Sequence, residues 1–180
     1  MKVKFLVIRF SSIGDIVLTS PVLRCLKNQV PDAEIHFVTK KKFAGIISSN
    51  PNIHKIHFFE DHLGEIFSKL KKEKFDYIID LHNNFRSGRI KRRIKAKAYS
   101  VNKLNWQKML LIRFKINRLP QYHIVDRYLD TLSPLKVKND GQGLDFFIPE
   151  NKGFKNEELP EPFQKGYVAF VIAGTYSTKK

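Results

Sequence analysis

Short apolar runs alternate with segments of helical period through most of this chain, and that alternation narrows the fold more than any other feature. Residues 4–10 form a brief apolar run of the kind that fills a buried parallel strand. After a turn, Ile16, Val17, Val22, Leu23, Leu26 and Val30 recur at helical spacing. Pro21 interrupts this stretch, with Ser20 placed to cap the main helix. Further strands are predicted at 34–39, 53–59, 77–81 and 98–101, and further helices at 42–49, 63–70, 106–114 and 124–132. Repeated strand-then-helix units imply right-handed crossovers and a parallel sheet. The expected class is α/β, a Rossmann-like, doubly wound parallel sheet.

After a loop at 134–143, residues 144–148 read as a short strand. Residues 1–150 are therefore expected to form one domain and 151–166, with their prolines and acids, a linker. Residues 167–180 then read as the first strand and turn of a second, truncated domain.

The chain has 180 residues, enough for one domain with a real core and too few for two full ones. Its single cysteine, Cys25, excludes an internal disulfide and lies among apolar helix positions, as a packing residue would. No signal sequence or membrane-length apolar run is visible, so a cytoplasmic location is expected. The charge stands out: 33 Lys and Arg against 17 Asp and Glu leave +16. Such a surplus suits an acidic partner, whether nucleic acid, an anionic membrane face or a phosphorylated substrate; a well-solvated lysine-rich surface is the bland alternative.

Ligands of open α/β sheets bind outside the carboxyl ends of the strands. The first such end here reads Arg9-Phe10-Ser11-Ser12-Ile13-Gly14-Asp15. It lacks both the dinucleotide fingerprint and the P-loop pattern. Gly14 allows close backbone approach. Asp15 has two readings, which can coexist. Ser12-x-x-Asp15 matches a capping box, and an acid there also suits a general base at the sheet edge.

The run from Arg9 to Leu23 resembles the opening signature of the heptosyltransferases, glycosyltransferase family 9, which build the inner core of lipopolysaccharide. Pro31-Asp32-Ala33, the run from Phe75 to His82 followed by Arg86-Ser87, and the run from Ile172 to Lys180 resemble later parts in matching order. The resemblance implies the N-terminal half of a GT-B architecture, with the first domain binding the acceptor and the second the nucleotide sugar. It implies inversion at the anomeric carbon, no metal and no cofactor. Asp15 would be the general base, with its pKa raised by burial in the closed enzyme. Ser12, Gly14, Asp80, His82 and Arg86 would face an acidic, lipid-linked glycan acceptor, and Gly174, Thr175 and Lys179 the donor diphosphate. Arg89, Arg92 and Arg93 would extend the basic surface toward the anionic inner face of the membrane, or form a solvated helix face. Ala173 departs from the proline often found at that position. On this reading, the 180 residues alone transfer no sugar.

No Asp-x-Asp pair occurs, in agreement with metal independence. The six histidines are not expected to form a ligand set, because the spacing of His54 and His57 sends strand side chains to opposite faces. The alternative function is a non-catalytic module that holds an acidic glycan or lipid headgroup. Specific nucleic-acid binding is not expected: charge is present but no reader motif is.

Overall fold

The computed structural model describes residues 2–149, 153 and 155–168. The chain divides into two compact units, Met1–Phe147 and Ile148–Lys180. In the second, the described residues form two single 3-10 turns, Asn156–Glu158 and Glu161–Phe163. The predicted strand at 167–172 lies mostly outside the described residues, as do Gly174, Thr175 and Lys179.

The first unit is a five-stranded parallel sheet in the order β3-β2-β1-β4-β5. Its strands are β1 (Val3–Ile8), β2 (Ala33–Lys40), β3 (Lys55–Phe59), β4 (Tyr77–Asp80) and β5 (Lys97–Ser100). Between them run helices α1 (Ile13–Val17), α2 (Ser20–Gln29), α3 (Ala44–Ile47), α4 (Gly64–Glu73) and α5 (Phe85–Ile94). After β5 come α6 (Asn105–Phe114) and α7 (Ile124–Leu129). The fold is α/β and Rossmann-like, as the alternation predicts.

Successive side chains of β1 feed two cores, because a strand points alternate residues to opposite faces. Phe5 and Val7 join Leu23, Leu26 and Tyr128 beneath α2 and α7. Leu6 and Ile8 join Ile66, Leu70 and Ile90 beneath α4 and α5. All four of these β1 residues are fully buried, which explains why β1 reads as a continuous apolar run. Cys25 is buried in the first core.

Two local expectations are corrected. Helix α2 begins at Ser20 itself, with Thr19 as its N-cap and Pro21 in the second position. Residues 144–148 form no strand. They approach a helix rather than a sheet edge: Asp145 N–H donates to Ser20 Oγ (2.9 Å), so no neighbouring strand completes a ladder. Arg24 on α2 anchors the same segment. It donates to both carboxylate oxygens of Asp140 (2.7 and 2.8 Å) and to the Gly143 carbonyl (2.9 Å), and pairs with Asp145.

Candidate functional site

Sheet order decides where a ligand can sit. From β1 the chain builds outward to β2 and β3, then crosses back to place β4 on the other side of β1. A crevice opens at such a reversal, outside the carboxyl ends of the two strands. Here those ends lead into the turn containing Asp15 and the turn containing His82.

Arg9 ties the two turns together. Its Nε donates to the Ser11 carbonyl (2.8 Å), its Nη1 to the Leu81 carbonyl (2.6 Å), and its Nη2 pairs with Asp15 Oδ2 at 2.7 Å. Asp15 also closes its half of the capping box. The Ser12 N–H donates to Oδ2 (3.2 Å), and Ser12 Oγ donates to the same oxygen (2.9 Å). Among the described residues every polar contact of the carboxylate falls on Oδ2, which leaves Oδ1 for another donor. The side chain is 36% exposed. Oδ2 thus carries both the cap and the Arg9 pair, and Oδ1 lies outside both.

Burial pushes the Asp15 carboxyl up, but the Ser12 N–H and hydroxyl and the Arg9 guanidinium outweigh it and hold the pKa below the ordinary value. The expected upward shift is not present in this structure, because a half-exposed carboxylate with three donors is stabilised as the anion. Gly14 sits beside it in helical conformation, and a Cβ there would meet nothing within 4 Å. The fold itself does not require glycine at this position.

Across the crevice, the His82 ring packs on Phe10 with centroids 4.8 Å apart. Burial, then the charges of Arg9 and Lys103, lower its pKa to about 4. Its Nδ1 is buried and has no hydrogen-bond partner among the described residues. Asp80 plays a different part from the one expected. It is fully buried, accepts from the backbone N–H groups of His82 (3.1 Å) and Asn83 (2.7 Å), and pairs with Lys91 at 2.9 Å. With those commitments it shapes the turn that carries His82. Arg86, in the first turn of α5, is exposed and lines a separate cavity of about 300 Å³ with Asp61, His62 and Arg89. The structure thus brings Ser12, Gly14, Asp15 and His82 together around Arg9 and sets Arg86 apart. Arg9 was missed as a site residue; its position at the end of β1 was the available signal.

The histidines lie closer together than the spacing of His54 and His57 alone suggests. His36, His54 and His57 cluster near the amino ends of β2 and β3, and two groups, Glu34–His36–His54 and His36–His57–Glu73, could each hold a metal ion. Alternation applies only within a strand. His54 precedes β3, with its N–H bonded to the Ile35 carbonyl (2.8 Å), so its side chain escapes the two-residue period.

No protein-family model matches the chain. Lipopolysaccharide heptosyltransferase 1 of Campylobacter coli is 25% identical over 163 residues, covering 86% of this chain and 46% of that protein. Lipopolysaccharide heptosyltransferase 3 of Escherichia coli K12 is 26% identical, covering 69% of this chain and 40% of that protein. The crystal structure of a glycosyl transferase family 9 protein from Veillonella parvula superposes with a TM-score of 0.65 at 25% identity, covering 82% of this chain and 45% of that one. The chain resembles the lipopolysaccharide heptosyltransferases. It spans less than half the length of these relatives. The five-stranded sheet is the part of the heptosyltransferase fold that its described residues hold.

Proposed function

We propose that this chain is the acceptor-binding half of a heptosyltransferase-like enzyme, with Asp15 as its general base. The observation that carries the reading is the divided carboxylate. Oδ2 is held by Arg9 and Ser12, and Oδ1 has no partner among the described residues at the crevice between β1 and β4. In the reaction, the acceptor hydroxyl oxygen attacks the anomeric carbon of a nucleotide-activated heptose. The bond from that carbon to the nucleotide diphosphate breaks with inversion, and the hydroxyl proton passes to Asp15 Oδ1. A lowered pKa makes Asp15 a weak base but keeps it ionised at neutral pH, and departure of the diphosphate supplies the driving force. Gly14 leaves room for the sugar. Gly174, Thr175 and Lys179 would meet the donor diphosphate, where a lysine offsets the charge of the leaving group. Neither a metal nor a cofactor takes part.

The acceptor is an acidic, lipid-linked glycan met at an anionic membrane face. From residue 81 to residue 125 the chain contains no Asp or Glu. Within this stretch α6 exposes Trp106, Ile112 and Phe114 among Lys108, Arg113 and Lys115. Apolar side chains ringed by cations suit shallow insertion into anionic headgroups. No helix of the described residues is long and apolar enough to cross a membrane. The chain should co-sediment with anionic vesicles and not with neutral ones, and Ile112→Asp should abolish the difference.

The experiment for the catalytic reading is acceptor binding by this chain, followed by transfer in a protein that also carries a donor half. The chain alone binds the glycan and transfers nothing. Turnover of a nucleotide-activated heptose by these 180 residues, or full transfer by an Asp15→Asn enzyme, would refute the assignment.

A further inference from the structure

The amino edge of the sheet holds a cluster that sugar transfer does not use. Glu34 and His36 project from the same face of β2, two residues apart, and His54 enters from the turn before β3. We propose that Glu34, His36 and His54 bind a divalent transition metal, best matched by zinc, as a structural site that staples β2 to β3.

Spacing carries the argument. Zinc ligands bonded at roughly 2.0–2.1 Å in a tetrahedron stand about 3.3 Å apart. Glu34 Oε1 lies 3.0 Å from His36 Nε2 and 3.7 Å from His54 Nε2, so the observed separations bracket that value. One carboxylate oxygen and two imidazole nitrogens are the donor types zinc takes. The overlapping group, His36–His57–Glu73, fits less well. Glu73 is paired with Lys55 at 2.6 Å, closer than Lys2 or Lys4 comes to Glu34, and His36 Nδ1 already hydrogen-bonds His57 Nε2 (2.9 Å). That hydrogen bond has a use. A ring that binds metal through Nε2 carries its proton on Nδ1, and His57 Nε2 is placed to accept it. Outer partners of this kind orient metal-binding histidines. Phe75 packs edge-on against His36 (centroids 5.0 Å apart) and holds the ring in place. A cavity of about 160 Å³, bordered by Glu34, His54, Lys2 and Lys27, gives the ion a way in and a water the fourth position.

Lys2 and Lys4 now sit 3.3 and 3.2 Å from the Glu34 carboxylate. Both compete with a cation, and Lys2, at 70% exposure, is free to swing away. The competition supplies a signature: removing Lys2 should tighten metal binding, whereas a change at an unrelated surface lysine should not.

The test is calorimetric titration of the tag-free chain with zinc chloride in a non-chelating buffer. The expected result is one ion per chain at micromolar affinity or tighter, with a rise in melting temperature. His54→Ala and Glu34→Gln should each weaken binding at least tenfold, His62→Ala should leave it unchanged, and Lys2→Ala should strengthen it severalfold. His54 is largely exposed, so its variant will fold even if a change at buried His36 does not. No binding by the unaltered chain overturns the proposal. So does binding indifferent to His54 and Glu34, or binding lost only with His57→Ala and Glu73→Gln.

Discussion

At the carboxyl ends of β1 and β4, Asp15 keeps one oxygen open and His82 keeps one ring nitrogen without a partner among the described residues. At the amino ends of β2 and β3, by contrast, Glu34, His36 and His57 bond to one another and to lysines. Both clusters are polar and both contain a carboxylate with its pKa lowered, to about 2 for Glu34. For Glu34 the His36 hydrogen bond leads and burial opposes it, with Lys4 and Lys2 helping. For Asp15 burial is the largest influence and the donors together overcome it. The lesson is that a lowered pKa alone does not mark a reactive acid. What separates the two ends is spare bonding capacity: among the described residues Asp15 Oδ1 and His82 Nδ1 have no partner, whereas the amino-end groups bond to one another and to lysines. Buried polar groups are normally satisfied, so an unmatched buried nitrogen next to a crevice points to a ligand.

The largest expected effect divides the two ends most cleanly. Asp15→Asn should lower transfer by about 10²–10⁴-fold in an enzyme carrying both halves, as loss of a general base does. Its melting temperature should fall by only about 2–4 °C, since the lost cap is worth roughly 1 kcal/mol. At the other end, His36→Ala should reverse the pattern. It deletes a buried ring packed on Phe75 and removes the closest partner of Glu34, at a cost of about 2–4 kcal/mol in chemical denaturation. Acceptor affinity at low temperature should be retained. A His36 variant with normal stability and lost acceptor binding would collapse the distinction.

A smaller effect comes from pH. His82 is held neutral in the fold, with its pKa at about 4 against an ordinary value of 6.5. The unfolded chain therefore binds more protons between those values, and stability falls as pH drops from 6.5 toward 4. His82→Gln should flatten that part of the curve by on the order of 1 kcal/mol, read as melting temperature against pH. The smallest change is at Gly14. Gly14→Ala places a methyl in open space within a helix and should stabilise the chain by about 0.5–1 kcal/mol while weakening acceptor binding. Unchanged binding would show that the sugar does not approach there.

The alternation of apolar runs and helical periods determined the α/β class, the parallel strands and the turn after β1, because these depend on local period and on chirality that the chain carries everywhere. Ser12-x-x-Asp15 likewise announced its cap, since both partners lie within one turn. The sequence also placed His82 at the end of β4. Contacts between distant segments were not legible. Only the tertiary fold set Arg9 across the crevice to Leu81, buried Asp80 as a turn-former, tied Arg24 to Asp140 and gathered three histidines from β2, β3 and the turn before β3. Local rules order neighbours along the chain; the crossing that brings β4 beside β1 decides which side chains meet.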